Sequence, residues 1–243
     1  MTPKLSRVTA SLDVIQGISG FCLVIFLWLH MFFVSSILIS KDAMYWVTKF
    51  FEGEMFFAQS YPIIVSLTAF VIFLLVLIHA AIALKKFPAN YRQYHAIVSH
   101  MKRLNHGDTW LWGVQLVTGF ILLFLVGIHL YQLMLHPADI GPYASSDRVW
   151  SHKMWPLYLL LLLSVELHAG IGIYRLAIKW GWFIDKKPKQ NRRRWQKIKW
   201  LLTTFFITLG VITLLAYMKI GYEHADKVGE RYVPSSVFSE RQQ

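Results

Sequence analysis

The sequence predicts an all-α integral membrane protein: a bundle of five transmembrane helices, with the N-terminus cytoplasmic and the C-terminus periplasmic. Three observations carry this. Of the 243 residues, 56% are hydrophobic and only 16% charged, a balance far from that of soluble domains. Five runs reach the roughly 20 apolar residues that cross a bilayer as helix. The basic residues are also unevenly placed. Residues 1–11, 84–108 and 175–200 hold 17 of the 25 Lys and Arg, and the alternate connections hold eight. By the positive-inside rule the first set faces the cytoplasm. The net charge of +12 is thus a matter of topology, and no nucleic-acid partner is needed to explain it.

The first run is Leu12–Ile39, too long for a signal peptide and lacking a small-x-small cleavage site. It contains Cys22, the one cysteine, read as a small buried apolar residue. A single cysteine excludes an internal disulfide, a covalently attached c-type haem and an iron–sulfur cluster held by this chain. Met44–Met55 follows, aromatic and amphipathic, suited to lying along the interface, and it carries Glu52 and Glu54. The second run, Ile63–Leu84, ends at Lys85, Lys86 and Pro88. Asn90–His106 is polar and basic around Ile97, Val98 and Leu104, a segment to cap the bundle or meet a soluble partner. The third run, Thr109–Leu135, ends at His136-Pro137. The fourth, Pro156–Trp180, opens with proline at a favoured helix start. The fifth is Trp200–Ile220. No repeat or low-complexity segment interrupts the chain, and residues 1–243 read as a single membrane domain.

Within the apolar runs the chemistry-bearing residues stand out. His30, His79, His129 and His168 occupy the first four runs, one each, and Glu166 lies two residues before the last of them. Ionisable groups at that depth are costly and mark function. At 1.5 Å rise per residue, His30 and His129 lie about 27 and 30 Å from the cytoplasmic ends of their helices, His79 and His168 about 8 and 16 Å. Two histidines on facing helices at one depth are what bis-histidine ligation of a haem requires, and two such layers make a wire across the membrane. Small residues that let helices clasp a flat group are present: Gly17 and Gly20, Ala80, Ala81 and Ala83, Gly119 and Gly127, Ala169, Gly170 and Gly172. Ordinary close packing of helices uses the same residues. At 100° per residue, Gln16 shares a face with His30, and Lys179 with His168, whereas Glu166 points away from His168. The other histidines, at 95, 100, 106, 136, 152 and 224, lie in connections or at helix ends and are expected to be solvated or interfacial.

In these features the chain resembles the dihaem cytochrome b membrane anchors of the succinate:quinone oxidoreductase family, quinol:fumarate reductase type. The carrying features are the four histidines in order on four helices, Glu52 in the first long connection, and Glu166 beside the last histidine. The resemblance implies two haem b groups, with His79 and His168 on the iron of the proximal one and His30 and His129 on that of the distal one. It implies that Gln16, Trp112 and Lys179 meet proximal haem propionates and that Arg148 lies near the distal haem. Glu52 would accept a proton from menaquinol, and Glu166 would belong to a transmembrane proton path. Gly17 departs from the family pattern, which has a hydroxyl residue there.

The implied activity is quinone-reactive electron transfer to an iron–sulfur subunit and through it to a flavoprotein, both on the cytoplasmic face of a bacterial inner membrane. The dicarboxylate site belongs to those partners, and a dimer of complexes is left open. A succinate dehydrogenase anchor is the same wire run the other way. Cytochrome b subunits of hydrogenases or formate dehydrogenases usually place two ligands on one helix. A haem-free proton-coupled transporter would usually show broken helices or an inverted repeat, and neither is evident.

Overall fold

The structure, a computed structural model, describes residues 3–85, 87–104, 107–182 and 188–234. Their regular structure is all helical, with no strand among the described residues. The helices are α1 (Pro3–Val34), α2 (Lys41–Phe51), α3 (Glu54–Phe57), α4 (Ile63–Leu84), α5 (Tyr91–Leu104), α6 (Gly107–Leu135), α7 (Pro142–Val149), α8 (Trp155–Lys179) and α9 (Pro188–Glu223). Five of them, α1, α4, α6, α8 and α9, are long and apolar enough to cross a membrane. In hydrocarbon a helix satisfies its own backbone polar groups, which is why such runs take no other form.

The helix α4 has the bounds that hydropathy predicts. At the ends of α1 and α9 the structure differs. Helix α1 begins at Pro3 rather than Leu12, and α9 at Pro188 rather than Trp200. Hydropathy marks only the part of a helix that lipid selects. Lys, Arg and Gln are good helix formers, and proline is tolerated at a helix start, so both helices run on beyond their apolar stretches.

The chain divides into two compact units. The first comprises Met1–Phe26, Phe73–Phe124 and Ser164–Thr204, and the second Leu27–Ile72, Leu125–Leu163 and Phe205–Gln243. In the first, α8 is the buried element: Ala169, Ile171, Ile173, Tyr174 and Ala177 are all core residues. Gly170 packs α8 against α9, since a side chain there would strike the Thr203 hydroxyl and approach Lys199. That glycine therefore serves helix packing rather than the clasping of a flat group. Lys199, counted among the connection residues by hydropathy, is only 2% exposed. Its ammonium lies 3.9 Å from the Trp200 ring centroid and 5.7 Å from that of Tyr174. Asp108 at the start of α6 accepts from the Tyr174 hydroxyl at 2.9 Å and pairs with Arg192 at 3.1 Å. Cys22 is exposed, not buried as the sequence suggested: it sits on an outward face of α1 rather than in the core.

In the second unit Ile37, Met44, Val149 and Tyr217 form a cluster. The Tyr217 hydroxyl donates to the Val34 carbonyl at 3.1 Å, and Ser35 and Thr213 share a hydrogen bond of 2.8 Å. The amphipathic segment is helix α2, capped by Ser40, whose hydroxyl accepts from the Ala43 N–H at 2.9 Å. Asp42 in its first turn and Lys49 in its last complement the helix dipole. Gly53 follows with φ +81°, and a Cβ there would come to 2.6 Å from Ile64, so only glycine turns the chain at that point.

His224 corrects the expectation of a solvated helix-end histidine. It is 6% exposed, its Nδ1 lies 2.9 Å from Asp147 Oδ1, and its ring stacks on Tyr143 at 4.0 Å. Asp147 also accepts from the Gly229 N–H at 3.0 Å. The pair fastens the chain beyond α9 against α7, a long-range contact that no local pattern encodes. Tyr232 reinforces it by donating to Asp42 at 2.6 Å. Burial and the Asp42 carboxylate raise that phenol to about 12.

Candidate functional site

In the first unit the structure brings together His79 of α4 and His168 of α8, with ring centroids 6.4 Å apart and ring planes at 82°. In the second unit His30 of α1 and His129 of α6 have centroids 6.2 Å apart at 59°. A metal–imidazole bond is about 2 Å, and a ring nitrogen lies roughly 1.1 Å from its centroid, so two imidazoles on opposite sides of one metal have centroids about 6.3 Å apart. Both pairs have the spacing that a single iron between the rings requires.

The pair in the first unit is prepared further. His168 Nδ1 lies 2.9 Å from the Gln115 carbonyl oxygen, which only accepts, so the ring donates from Nδ1. His79 Nδ1 lies 3.0 Å from Ser19 Oγ. That hydroxyl already donates to the Gln16 carbonyl at 3.1 Å, so His79 also donates from Nδ1. A ring that donates from Nδ1 presents Nε2 as its ligating nitrogen, the arrangement in which an outer partner fixes tautomer and ring orientation. Gly20 of α1 and Gly119 of α6 back these rings: a Cβ would come to 2.9 Å from His79 Cε1 and 2.8 Å from His168 Cε1. In the second unit His129 Nδ1 is buried and has no hydrogen-bond partner among the described residues. Tyr158 packs edge-on against His129 at 5.6 Å, and Arg148 donates to the Asp139 carbonyl. These residues fit a haem in each unit, on donor set and spacing.

Of the residues expected at propionates, Trp112 and Lys179 line one cleft with Asp108 and Arg175. Lys179 pairs with Asp13, three residues before Gln16 on α1. Gly17 is the seat of Trp180, whose ring a Cβ would meet at 2.8 Å, so the absent hydroxyl is accompanied by an indole. Gly127 has open space beside it, and Gly172 faces the Gln115 side chain. Glu52 is 4% exposed and Glu166 1%. Glu52 is not a solvated interfacial charge: Lys49 Nζ donates to its Oε2 at 2.8 Å.

A family model described as succinate dehydrogenase/fumarate reductase transmembrane subunit matches residues 90–211. The fumarate reductase cytochrome b subunit of Wolinella succinogenes is 48% identical over 92% of this chain and 87% of its own length. That of Helicobacter pylori is 48% identical over 92% and 86%. The chain belongs to this succinate dehydrogenase/fumarate reductase family. Within it the similarity is to the fumarate reductase cytochrome b subunits. The succinate dehydrogenase cytochrome b558 subunit of Bacillus subtilis is 27% identical over 69% of this chain and 75% of its own length.

Three groups beside the histidine pairs carry no mark in the sequence reading: Ser19 and the Gln115 carbonyl at the His79 and His168 rings, and Tyr158 beside His129. Ser19 stands one residue from Gly20 in the first run, and a hydroxyl beside a small residue was a visible signal. The Gln115 carbonyl is backbone and has no sequence signature. The glycine contacts make a prediction. Gly20→Val puts branched carbon where the His79 ring lies, an overpacking of roughly 1–3 kcal/mol. If each histidine pair holds one haem, the variant is expected to lose the one at His79 and His168 and keep the other, which the ratio of the two spectral components measures.

Proposed function

We propose that this chain is the dihaem cytochrome b subunit of a menaquinol:fumarate reductase. It oxidises menaquinol on the outer side of a bacterial inner membrane and delivers the electrons to an iron–sulfur subunit on the cytoplasmic side, which feeds a flavoprotein. The observation that carries the reading is the pair of histidine couples at 6.2 and 6.4 Å, each with the spacing of two ligands on one metal. The 48% identity to fumarate reductase cytochrome b subunits over nearly the whole chain supports it.

His79 and His168 hold the inner haem, and His30 and His129 the outer one. When bound, the haems supply one-electron carriers whose potential follows from ligand, burial and hydrogen bonding. The chain's own residues do the rest. Ser19 and Gln115 keep the inner rings in the ligating tautomer. Gln16, Trp112 and Lys179 meet the inner propionates, and Arg148 lies by the outer haem. Glu52, buried next to a cation, takes a proton from the quinol. Glu166, enclosed in α8, serves a proton path through the membrane, because an acid at that depth without a task is costly. The basic connections at residues 84–108 and 175–200 form the cytoplasmic face, where the partner subunits dock.

The deciding experiment is a haem assay with a potentiometric titration of the purified complex. Two b haems per chain with two separated midpoints are expected. A single haem would break the two-couple reading, and none would end it.

A further inference from the structure

We propose that Lys49, Ser60 and Glu54 form the exit route by which a proton taken up at Glu52 reaches solvent, with Glu54 the last protein acceptor. This rests on the reading of Glu52 as the quinol's proton acceptor. A base that takes up a proton in each turnover must lose it before the next. Glu52 has little direct route to water, since its side chain is 5% exposed. It does have a continuous chain of polar contacts. Lys49 Nζ donates to Glu52 Oε2 at 2.8 Å and to Ser60 Oγ at 3.0 Å. The Ser60 hydroxyl donates to Glu54 Oε2. Lys49 Nζ also lies 3.9 Å from Glu54 Oε2. Exposure rises along the series, from 5% at Glu52 through 23% at Lys49 to 35% at Glu54.

The backbone is shaped for these contacts. Gly53 takes φ +81° and Ala58 φ 57°, two left-handed residues that fold the short α3 back so that Ser60 returns to Lys49. The Tyr61 N–H closes the loop on the Glu52 carbonyl at 2.8 Å. A non-glycine left-handed residue is disfavoured and persists only where its surroundings impose it. The Tyr45 ring bounds Lys49 on another side, its centroid 5.5 Å from Nζ.

The transfer balances. The quinol gives up two electrons and two protons, and the electrons leave by the path proposed above. One proton protonates the Glu52 carboxylate. The ammonium of Lys49 passes a proton to Ser60 as the Ser60 hydroxyl passes its own to Glu54, and Lys49 is refilled from Glu52. Lys49 and Ser60 end as they began, one proton has moved from Glu52 to Glu54, and water takes it from there. The second proton follows by the same sequence.

The test uses the intact complex in liposomes, oxidising a short-chain naphthoquinol with fumarate as acceptor. Glu54→Gln is expected to lower kcat about tenfold with KM nearly unchanged, less than the roughly 10²–10⁴-fold of a lost general acid or base because Glu54 lies one relay away from the quinol, and to raise the solvent deuterium isotope effect. Added acetate, a carboxylate of the missing kind, is expected to restore much of the rate, and Glu54→Asp to keep most of it. Ser60→Ala is expected to act in the same direction as Glu54→Gln. A slow Glu54→Gln complex with no acetate rescue and an unchanged isotope effect overturns the route and makes the contacts a structural staple. A dead Glu52→Gln complex beside a Glu54→Gln complex at the wild-type rate also overturns the route while leaving the reading of Glu52 intact. Full activity in Glu52→Gln overturns the reading of Glu52 itself.

Discussion

His129→Ala is expected to yield a complex holding one b haem per chain instead of two, with the spectrum and midpoint assigned to His79 and His168 retained. Quinol oxidation is expected to fall more than about 100-fold, since loss of an outer-shell partner alone costs 10–100-fold at metal sites and a direct ligand matters more. The reasoning starts from the spacing. Centroids 6.2 Å apart leave room for one metal between His30 and His129, and a methyl group supplies no lone pair. The inner couple is held by different residues, Ser19, Gln115, Gly20 and Gly119, so its pigment survives. A chain that merely misfolds would lose both haems, and His129→Met separates the cases. A thioether still ligates iron and raises its potential, so that variant is expected to keep two haems, with one midpoint moved upward. Loss of both haems in each variant, or retention of both in His129→Ala, would remove His129 from the ligand set.

Much of this arrangement was legible in the chain because the bilayer simplifies the physics. Apolar length, basic asymmetry and the cost of a buried ionisable group each leave a direct mark, and the four histidines stand out against Leu, Ile and Phe. What was not legible depended on contacts between distant segments. His224 reads as a solvated residue at a helix end until α9 is seen to place it on Asp147 and Tyr143. Cys22 reads as core until its side of α1 is known. Gly170 and Gly20 are the same residue type in similar runs, yet one admits Thr203 and the other the His79 ring. Composition cannot tell these apart, because the difference lies in what the partner helix presents. The starts of α1 and α9 were missed for a separate reason: helix propensity reaches beyond hydropathy where basic and polar residues precede an apolar run.

Glu52→Gln is expected to lower the kcat of quinol oxidation by about 10²-fold or more, the usual contribution of a positioned general base, without changing haem content or either midpoint. The substitution is nearly isosteric. The amide oxygen still accepts from Lys49, so the turn into Gly53 and the Tyr61 contact stay in place. What is lost is the capacity to take a proton in the step that oxidises the quinol. Removing the carboxylate also leaves the Lys49 charge without its counter-ion. An uncompensated buried charge costs up to about 3–5 kcal/mol, but Lys49 is 23% exposed and keeps Ser60, so the folded loop is expected to tolerate the change. The kinetic pattern discriminates between roles. A group that only shapes the quinol pocket would act mainly on KM, because binding is then lost equally from ground and transition states. A proton acceptor acts on kcat, and Glu52→Asp, which keeps a carboxylate within one methylene of the original, recovers part of the rate. A Glu52→Gln complex with wild-type kcat and a raised KM would make Glu52 a wall of the quinol pocket and leave the proton to another base.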